Sequence, residues 1–319
     1  MAPHPNMAPE LAAALGGAGD LDIGTLSFAD LPGLRAQAEA AVAAVRAPNP
    51  RVDIEDRIVE RPEGGPDLRL RVYRPVGRTD PMPCLYWIHG GGMILGSPDI
   101  DDSLAVRAVE RADCAVVSVD YRLAPEHPHP APVADCYAGF RWTAANAEAL
   151  AIDPGRIAVG GSSAGGGLAA AVALMARDSG GPAPIFQLLL YPMLDDRNTT
   201  PSSRAFTDGP TWSRRASIFA WTALLGDAVG TEDVSPYAAP ARAADLAGLP
   251  RAFVSVGELE PFRDECIDYA RRLVQAGVST EFHLYPGAFH GFDVLAPDAE
   301  ISRRAVDDHH AALRRALHA

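Results

Sequence analysis

Four short stretches of this chain hold residues that could do chemistry together: Gly161-Ser162-Ser163-Ala164-Gly165, His89-Gly90-Gly91-Gly92, Glu258-Leu259-Glu260 and His290-Gly291-Phe292. A serine hydroxyl is a weak nucleophile until a base takes its proton, and the base works only when an acid fixes its tautomer. Ser163 as nucleophile, Glu260 as acid and His290 as base make such a set, in the chain order serine, acid, histidine. Glu258 and Asp264 stay open as alternative acids. The pattern G-x-S-x-G has a physical rationale. A serine on a tight strand-to-helix turn needs neighbours almost without side chains, so that strand and helix can approach. The amide of Ala164 would then face the oxygen of a bound ester carbonyl.

Other glycine chemistries fail on residue type. A dinucleotide fingerprint G-x-G-x-x-G would need glycine where Ser162 stands. A P-loop needs a Gly-Lys pair, and the chain has no lysine. The same absence removes Schiff-base and Ser-x-x-Lys catalysis. His127, His129, His309 and His310 lack metal-ligand spacing and read as surface residues, and no metal or cofactor is expected. His89 reads as a structural histidine that fixes its loop by hydrogen bonds.

The elements that must position these groups alternate between strand and helix. Val52 to Val59 and Leu68 to Tyr73 alternate apolar and charged residues, as a half-exposed hairpin turning at residues 63–67 would. The apolar runs Cys84–Ile88, Ala115–Val119, Arg156–Gly160, Ile185–Leu190, Ala252–Val256 and Glu281–Tyr285 read as strands. Helical patterns fall between and after them, at Ser103–Ala112, Ala134–Ala147, Leu168–Arg177, Trp212–Leu225, the stretch ending at Ala276 and Ala299–Leu317. Such alternation predicts right-handed crossovers and a mostly parallel central sheet flanked by helices. Each proposed catalytic residue follows a strand.

Two segments stand outside that alternation. Within residues 1–50 the stretch from Pro9 to Arg46 is Ala-rich, broken at Gly16-Gly17 and Pro32-Gly33, and predicts short helices, the last from Leu34 to Val45. Residues 195–240 begin with a polar, irregular stretch from Asp195 to Pro210 and continue into the aromatic helix. Together they are expected to cap a core formed by residues 51–194 and 241–319. Met93, Tyr191, Met193, Trp212 and Phe28 are candidate walls of the substrate pocket.

The 319-residue chain is 48% hydrophobic and 22% charged, the balance of an ordinary globular domain. A net charge of −13 argues against nucleic acid or an anionic membrane as partner. The first ten residues lack a basic stretch leading into an apolar run, and no uninterrupted apolar span is long enough to cross a bilayer, so a cytoplasmic location is expected. Cys84, Cys114, Cys136 and Cys266 sit within apolar patterns, without C-x-x-C pairing, and are expected to be reduced and buried.

Taken together, His89-Gly90-Gly91-Gly92, Tyr121-Arg122-Leu123-Ala124-Pro125-Glu126, Gly161-Ser162-Ser163-Ala164-Gly165-Gly166 and His290-Gly291-Phe292 resemble the motif set of the hormone-sensitive lipase family of bacterial esterases. The resemblance runs from about Val52 onward, and the preceding helices are similar to that family's N-terminal cap. It implies an α/β-hydrolase fold and a cofactor-free carboxylic ester hydrolase that favours short acyl chains. It also implies an oxyanion hole from the amides of Gly91, Gly92 and Ala164, with Gly90 as a further candidate, and a homodimer through an edge strand. The chain departs from the family pattern at Ser162, where Asp or Thr is usual, and at Glu260, where the family has Asp. Amide or lactone hydrolysis, or ligand binding without turnover, are the alternative activities on the same fold.

Overall fold

A computed structural model of the chain describes residues 4–15, 22–45, 49–60 and 65–319. Its eight strands are β1 (Val52–Val59), β2 (Leu68–Pro75), β3 (Met82–Ile88), β4 (Ala115–Asp120), β5 (Ile152–Ser162), β6 (Phe186–Leu190), β7 (Arg251–Leu259) and β8 (Thr280–Phe289). They form one sheet in the order β1-β2-β4-β3-β5-β6-β7-β8. β3 to β8 run parallel, while β2 pairs antiparallel with both β1 and β4. The expected mostly parallel sheet is therefore present, with its antiparallel pair at one edge.

The helices are α1 (Pro9–Leu15), α2 (Leu31–Val45), α3 (Asp102–Ala112), α4 (Ala131–Ala145), α5 (Ala164–Ser179), α6 (Pro201–Ala205), α7 (Arg214–Leu225), α8 (Arg263–Gln275), α9 (Phe292–Leu295) and α10 (Glu300–Leu317). Successive residues of β3 face opposite ways, as a strand requires. Leu85 and Trp87 meet residues of α3 and α10, whereas the Tyr86 hydroxyl donates to the Cys136 carbonyl of α4 at 2.9 Å. Helices thus cover both faces, and the continuously apolar β3, with every residue buried, is the pattern of a strand packed on two sides. The four cysteines are free and buried in this interior.

The N-terminal segment docks in two places. Leu11 of α1 packs with Tyr285, Phe289 and Phe292 in a second apolar cluster, and the Glu10 carboxylate accepts the first N–H groups of α10, from Glu300 at 2.8 Å and Ile301 at 3.0 Å. Arg35 of α2 donates to the Ile94 and Ala124 carbonyls, at 2.8 and 2.7 Å, and to Glu126. Phe28 packs against Phe219 of α7 with the ring centroids 4.8 Å apart and the planes tilted by 47°. The breaks expected at Gly16-Gly17 and part of the turn at residues 63–67 lie outside the described residues.

The structure corrects four expectations. Pro32-Gly33 does not break the N-terminal helix but lies in the first turn of α2, which starts at Leu31 rather than Leu34. The stretch from Asp195 to Pro210 is not wholly irregular: Thr200 caps α6 by accepting the Ser203 N–H. Buried contacts order its flanks, since Asp196 forms an ion pair with Arg242 at 2.6 Å and also accepts the Gly230 N–H. The last strand does not stop at Tyr285. A register shift after Gly257 lets Leu259 pair with Phe289, which carries β8 through Pro286-Gly287. Nor is His309 a surface residue. It is 3% exposed on the inward face of α10, level with Ala305, Ala312 and Leu313. His310 is half-buried.

Candidate active site

Ser163 stands between the end of β5 and the start of α5 with φ 56° and ψ −120°. A non-glycine residue there costs roughly 1–3 kcal/mol and persists only where its surroundings hold it. Here its N–H donates to the Leu190 carbonyl at 2.8 Å, and its carbonyl accepts the Met193 N–H at 2.9 Å. The flanking glycines are dictated by backbone contact. A Cβ on Gly161 would run into the Gly165 carbonyl, and one on Gly165 into the carbonyls of Ile88 and His89. Met93 and Tyr191 also hold positive φ, at 61° and 37°, so strained backbone converges on this end of the sheet.

Register explains the convergence. β5 and β3 run parallel with Ile88 beside Gly161, and β6 brings Leu190 beside Ser162. The Ser163 turn, the loop that follows β3 and the loop that follows β6 therefore leave the sheet at the same C-terminal edge, where open parallel sheets carry their sites. The glycine loop lies alongside Ser163: a Cβ on Gly90 would stand 3.5 Å from that of Ser163. Ala164 is the first residue of α5, where helix N–H groups have no partner within the helix and the macrodipole favours negative charge.

The Ser163 hydroxyl lies 2.9 Å from His290 Nε2, and His290 Nδ1 lies 2.5 Å from Glu260 Oε2. The second Glu260 oxygen accepts the Gly257 N–H at 2.9 Å, which fixes the carboxylate plane. With a proton on Nδ1, His290 donates to Glu260 and leaves Nε2 to accept from serine. All three side chains are buried. The other two carboxylates lie elsewhere. Glu258 accepts the Gly287 N–H at 2.7 Å, and Asp264 accepts the Ser202 N–H at 2.7 Å while also pairing with Arg263. Burial would raise the Asp264 carboxyl, but Arg263 and the Ser202 amide bring it below its ordinary range.

His89 lies flat against Tyr121 at 4.1 Å, its Nδ1 2.8 Å from the Gly90 oxygen, while the Tyr121 hydroxyl donates to the His89 carbonyl. Burial holds its imidazole below the usual value, hence neutral. It shapes the glycine loop, in the role expected for it. Of the pocket candidates, Trp212 reaches the loop most closely: its ring fills the space a Cβ on Gly92 would take, and it lies 6.3 Å from the His290 ring. Tyr191 meets His290 edge-on at 4.9 Å. Met93 and Met193 are buried, and Phe28 is 38% exposed on the N-terminal segment.

Sequence reasoning missed several supports. Thr211 donates to the His290 carbonyl at 2.5 Å, Phe262 packs edge-on to the His290 ring at 5.1 Å, and Glu265 accepts the Leu194 N–H at 2.7 Å. Burial pushes the Glu265 carboxyl well above its ordinary range. Phe262 carried a visible signal, since it lies two residues after Glu260. Thr211 and Glu265 carried none, because each meets its partner across the fold.

A family model described as the α/β-hydrolase fold matches residues 85–294. The carboxylesterase NlhH of Mycobacterium tuberculosis is 41% identical over 272 residues, which cover 85% of this chain and 85% of NlhH. The esterase LipI of the same species is 37% identical over 85% of this chain and 84% of its own. Among solved structures, a bacterial heroin esterase superposes with a TM-score of 0.92 at 44% identity, covering 99% of both chains.

Proposed function

The chain belongs to the α/β-hydrolase fold family, in its hormone-sensitive-lipase-type group of carboxylesterases, and from that premise we propose that Ser163, His290 and Glu260 carry its chemistry. It is a carboxylic ester hydrolase acting on small-molecule esters. The observation that carries the assignment is the unbroken hydrogen-bond path from the Ser163 hydroxyl through both nitrogens of His290 to Glu260.

His290 Nε2 takes the serine proton as Ser163 Oγ attacks the ester carbonyl carbon. The amides of Gly91, Gly92 and Ala164 stabilise the oxyanion. The carbon–oxygen bond to the alcohol then breaks, and the alcohol leaves with the proton from Nε2. Water repeats the sequence on the acyl-enzyme: its proton goes to Nε2, the acid departs, and Ser163 recovers its hydrogen. Glu260 holds the imidazole in its working tautomer and stabilises the imidazolium, and its proximity to Nδ1 supports this role over Glu258 and Asp264.

The N-terminal 50 residues and residues 195–240 act as the cap over the core. Support comes from Trp212 lying on Gly92, from Thr211 bound to the His290 carbonyl and from Phe28 packed against Phe219. Trp212 lying on the glycine loop limits the room beside Ser163, which favours short acyl groups. No helix among the described residues is long and apolar enough to cross a membrane.

The test is hydrolysis of p-nitrophenyl esters from acetate to palmitate by wild type and Ser163→Ala. Activity highest on short chains and abolished in the variant is the expected result. Activity surviving in Ser163→Ala would overturn the nucleophile. Wild-type inactivity on every ester, with turnover of amides or lactones, would redirect the specificity.

A further inference from the structure

Two buried side chains beside the triad, Tyr191 and Asp293, have a geometry that the reaction above leaves unused. We propose that they are a positioning pair, a hydrogen-bonded strut that sets the distance between His290 and Ser163. The inference rests on His290 being the base.

Tyr191 is anchored to the strand end that also holds the nucleophile. Its N–H donates to the Ser255 carbonyl of β7 at 2.6 Å, and the residue before it, Leu190, accepts the Ser163 N–H. Its positive φ, 37°, turns the chain out of β6. From there the phenol donates to Asp293 Oδ1 at 3.0 Å. Asp293 is 3% exposed and stands three residues after His290, at the start of α9, so the bond joins the base's own segment to the end of β6, whose Leu190 carbonyl holds the Ser163 N–H. The Tyr191 ring also presses edge-on against the imidazole, at 4.9 Å and 70°, while Phe262 packs against it edge-on as well, at 5.1 Å. A hydrogen bond donated to Glu260 and one accepted from the Ser163 hydroxyl fix the two imidazole nitrogens in the ring plane. They do little against movement of the whole segment, and the strut opposes that movement.

The surroundings keep the donor and acceptor in their roles. Burial pushes the Tyr191 phenol well above its ordinary range, as do the nearby Asp293, Asp101 and Glu260 carboxyls, so it remains protonated. Burial also raises Asp293, against the pull of Tyr191, Arg107 and His290. Either protonation state of Asp293 leaves an oxygen able to accept. A base displaced by a fraction of an ångström slows proton transfer without weakening substrate binding, so the loss falls on kcat.

The experiment measures kcat and KM for p-nitrophenyl acetate with wild type, Tyr191→Phe, Asp293→Ala and Asp293→Asn. Tyr191→Phe keeps the ring against His290 and removes only the O–H. It is expected to lower kcat by about tenfold, the worth of one buried hydrogen bond, with KM within about twofold. Asp293→Ala should lose at least as much, and Asp293→Asn, whose amide oxygen still accepts, should recover most of it. A Tyr191→Phe enzyme at wild-type kcat overturns the strut. So does a loss carried by KM, which would make Tyr191 a pocket wall, or an Asp293→Asn enzyme no better than Asp293→Ala. Should Asp293→Ala not fold, Tyr191→Phe and Asp293→Asn decide alone. Ser163→Ala retaining activity would instead sink the reading of the site on which the strut depends.

Discussion

The indole of Trp212 fills the space that a Cβ on Gly92 would need, so the 195–240 segment and the glycine loop share one contact surface. Gly92 also holds φ 65°, a conformation L side chains avoid. Gly92→Ala must therefore move either the loop or the indole. We expect a loss of roughly a hundredfold in kcat, comparable to removing one oxyanion donor. The double variant Gly92→Ala/Trp212→Ala removes the clash and should regain part of that loss. A single variant at the wild-type rate would mean that Gly92 does not constrain the oxyanion site.

The three candidate acids separate by what each one touches. Glu260→Gln replaces the acceptor at His290 Nδ1 with an amide that can favour the wrong tautomer, and should lower kcat by about 10³–10⁴-fold. Glu258→Gln and Asp264→Asn disturb contacts to Gly287 and Ser202 instead. They should keep kcat within a few-fold and cost about 1 kcal/mol of stability. Steady-state rates and urea midpoints on the three variants check this, and an Asp264→Asn enzyme as crippled as Glu260→Gln would reassign the acid.

Burial pushes the His310 imidazole down to about 4. The unfolded chain protonates this residue near 6.5, so between those values it takes up a proton that the folded protein refuses. The stability contribution is complete above pH 6.5 and is lost as pH falls towards 4, by at most about 1.4 kcal/mol per pH unit. The raised carboxyls of Glu265 and Asp293 act in the opposite sense, so the informative quantity is a difference in slope. His310→Gln should gain stability relative to wild type as urea unfolding is moved from pH 7 to pH 5. Parallel curves for the two proteins would refute the assignment.

Much of the site was legible in the linear sequence because local chemistry imposes local residue types. A serine in a strained strand-to-helix turn requires small neighbours, and Gly161 and Gly165 stand there with no room for a Cβ. Alternation of apolar and helical runs fixed a mostly parallel sheet, and the strand-end positions of Ser163, Glu260 and His290 followed from it. His309 shows the limit of local reading. Its helical spacing to Ala305 and Leu313 marked an inward face, but two adjacent histidines read as solvated.

What the sequence determined by itself, then, is the set of groups and the sheet that carries them, because periodicity and turn chemistry act over a few residues. Only the tertiary structure decided which carboxylate meets His290, since Glu258, Glu260 and Asp264 lie within seven residues and differ in direction rather than in type. It also decided that Thr211, Phe262 and Tyr191 grip the segment from His290 to Asp293 and that Trp212 closes over Gly92. Those contacts join residues far apart in the chain. They exist because the shared C-terminal edge of the sheet brings several loops to one place, where packing rather than local propensity selects each partner.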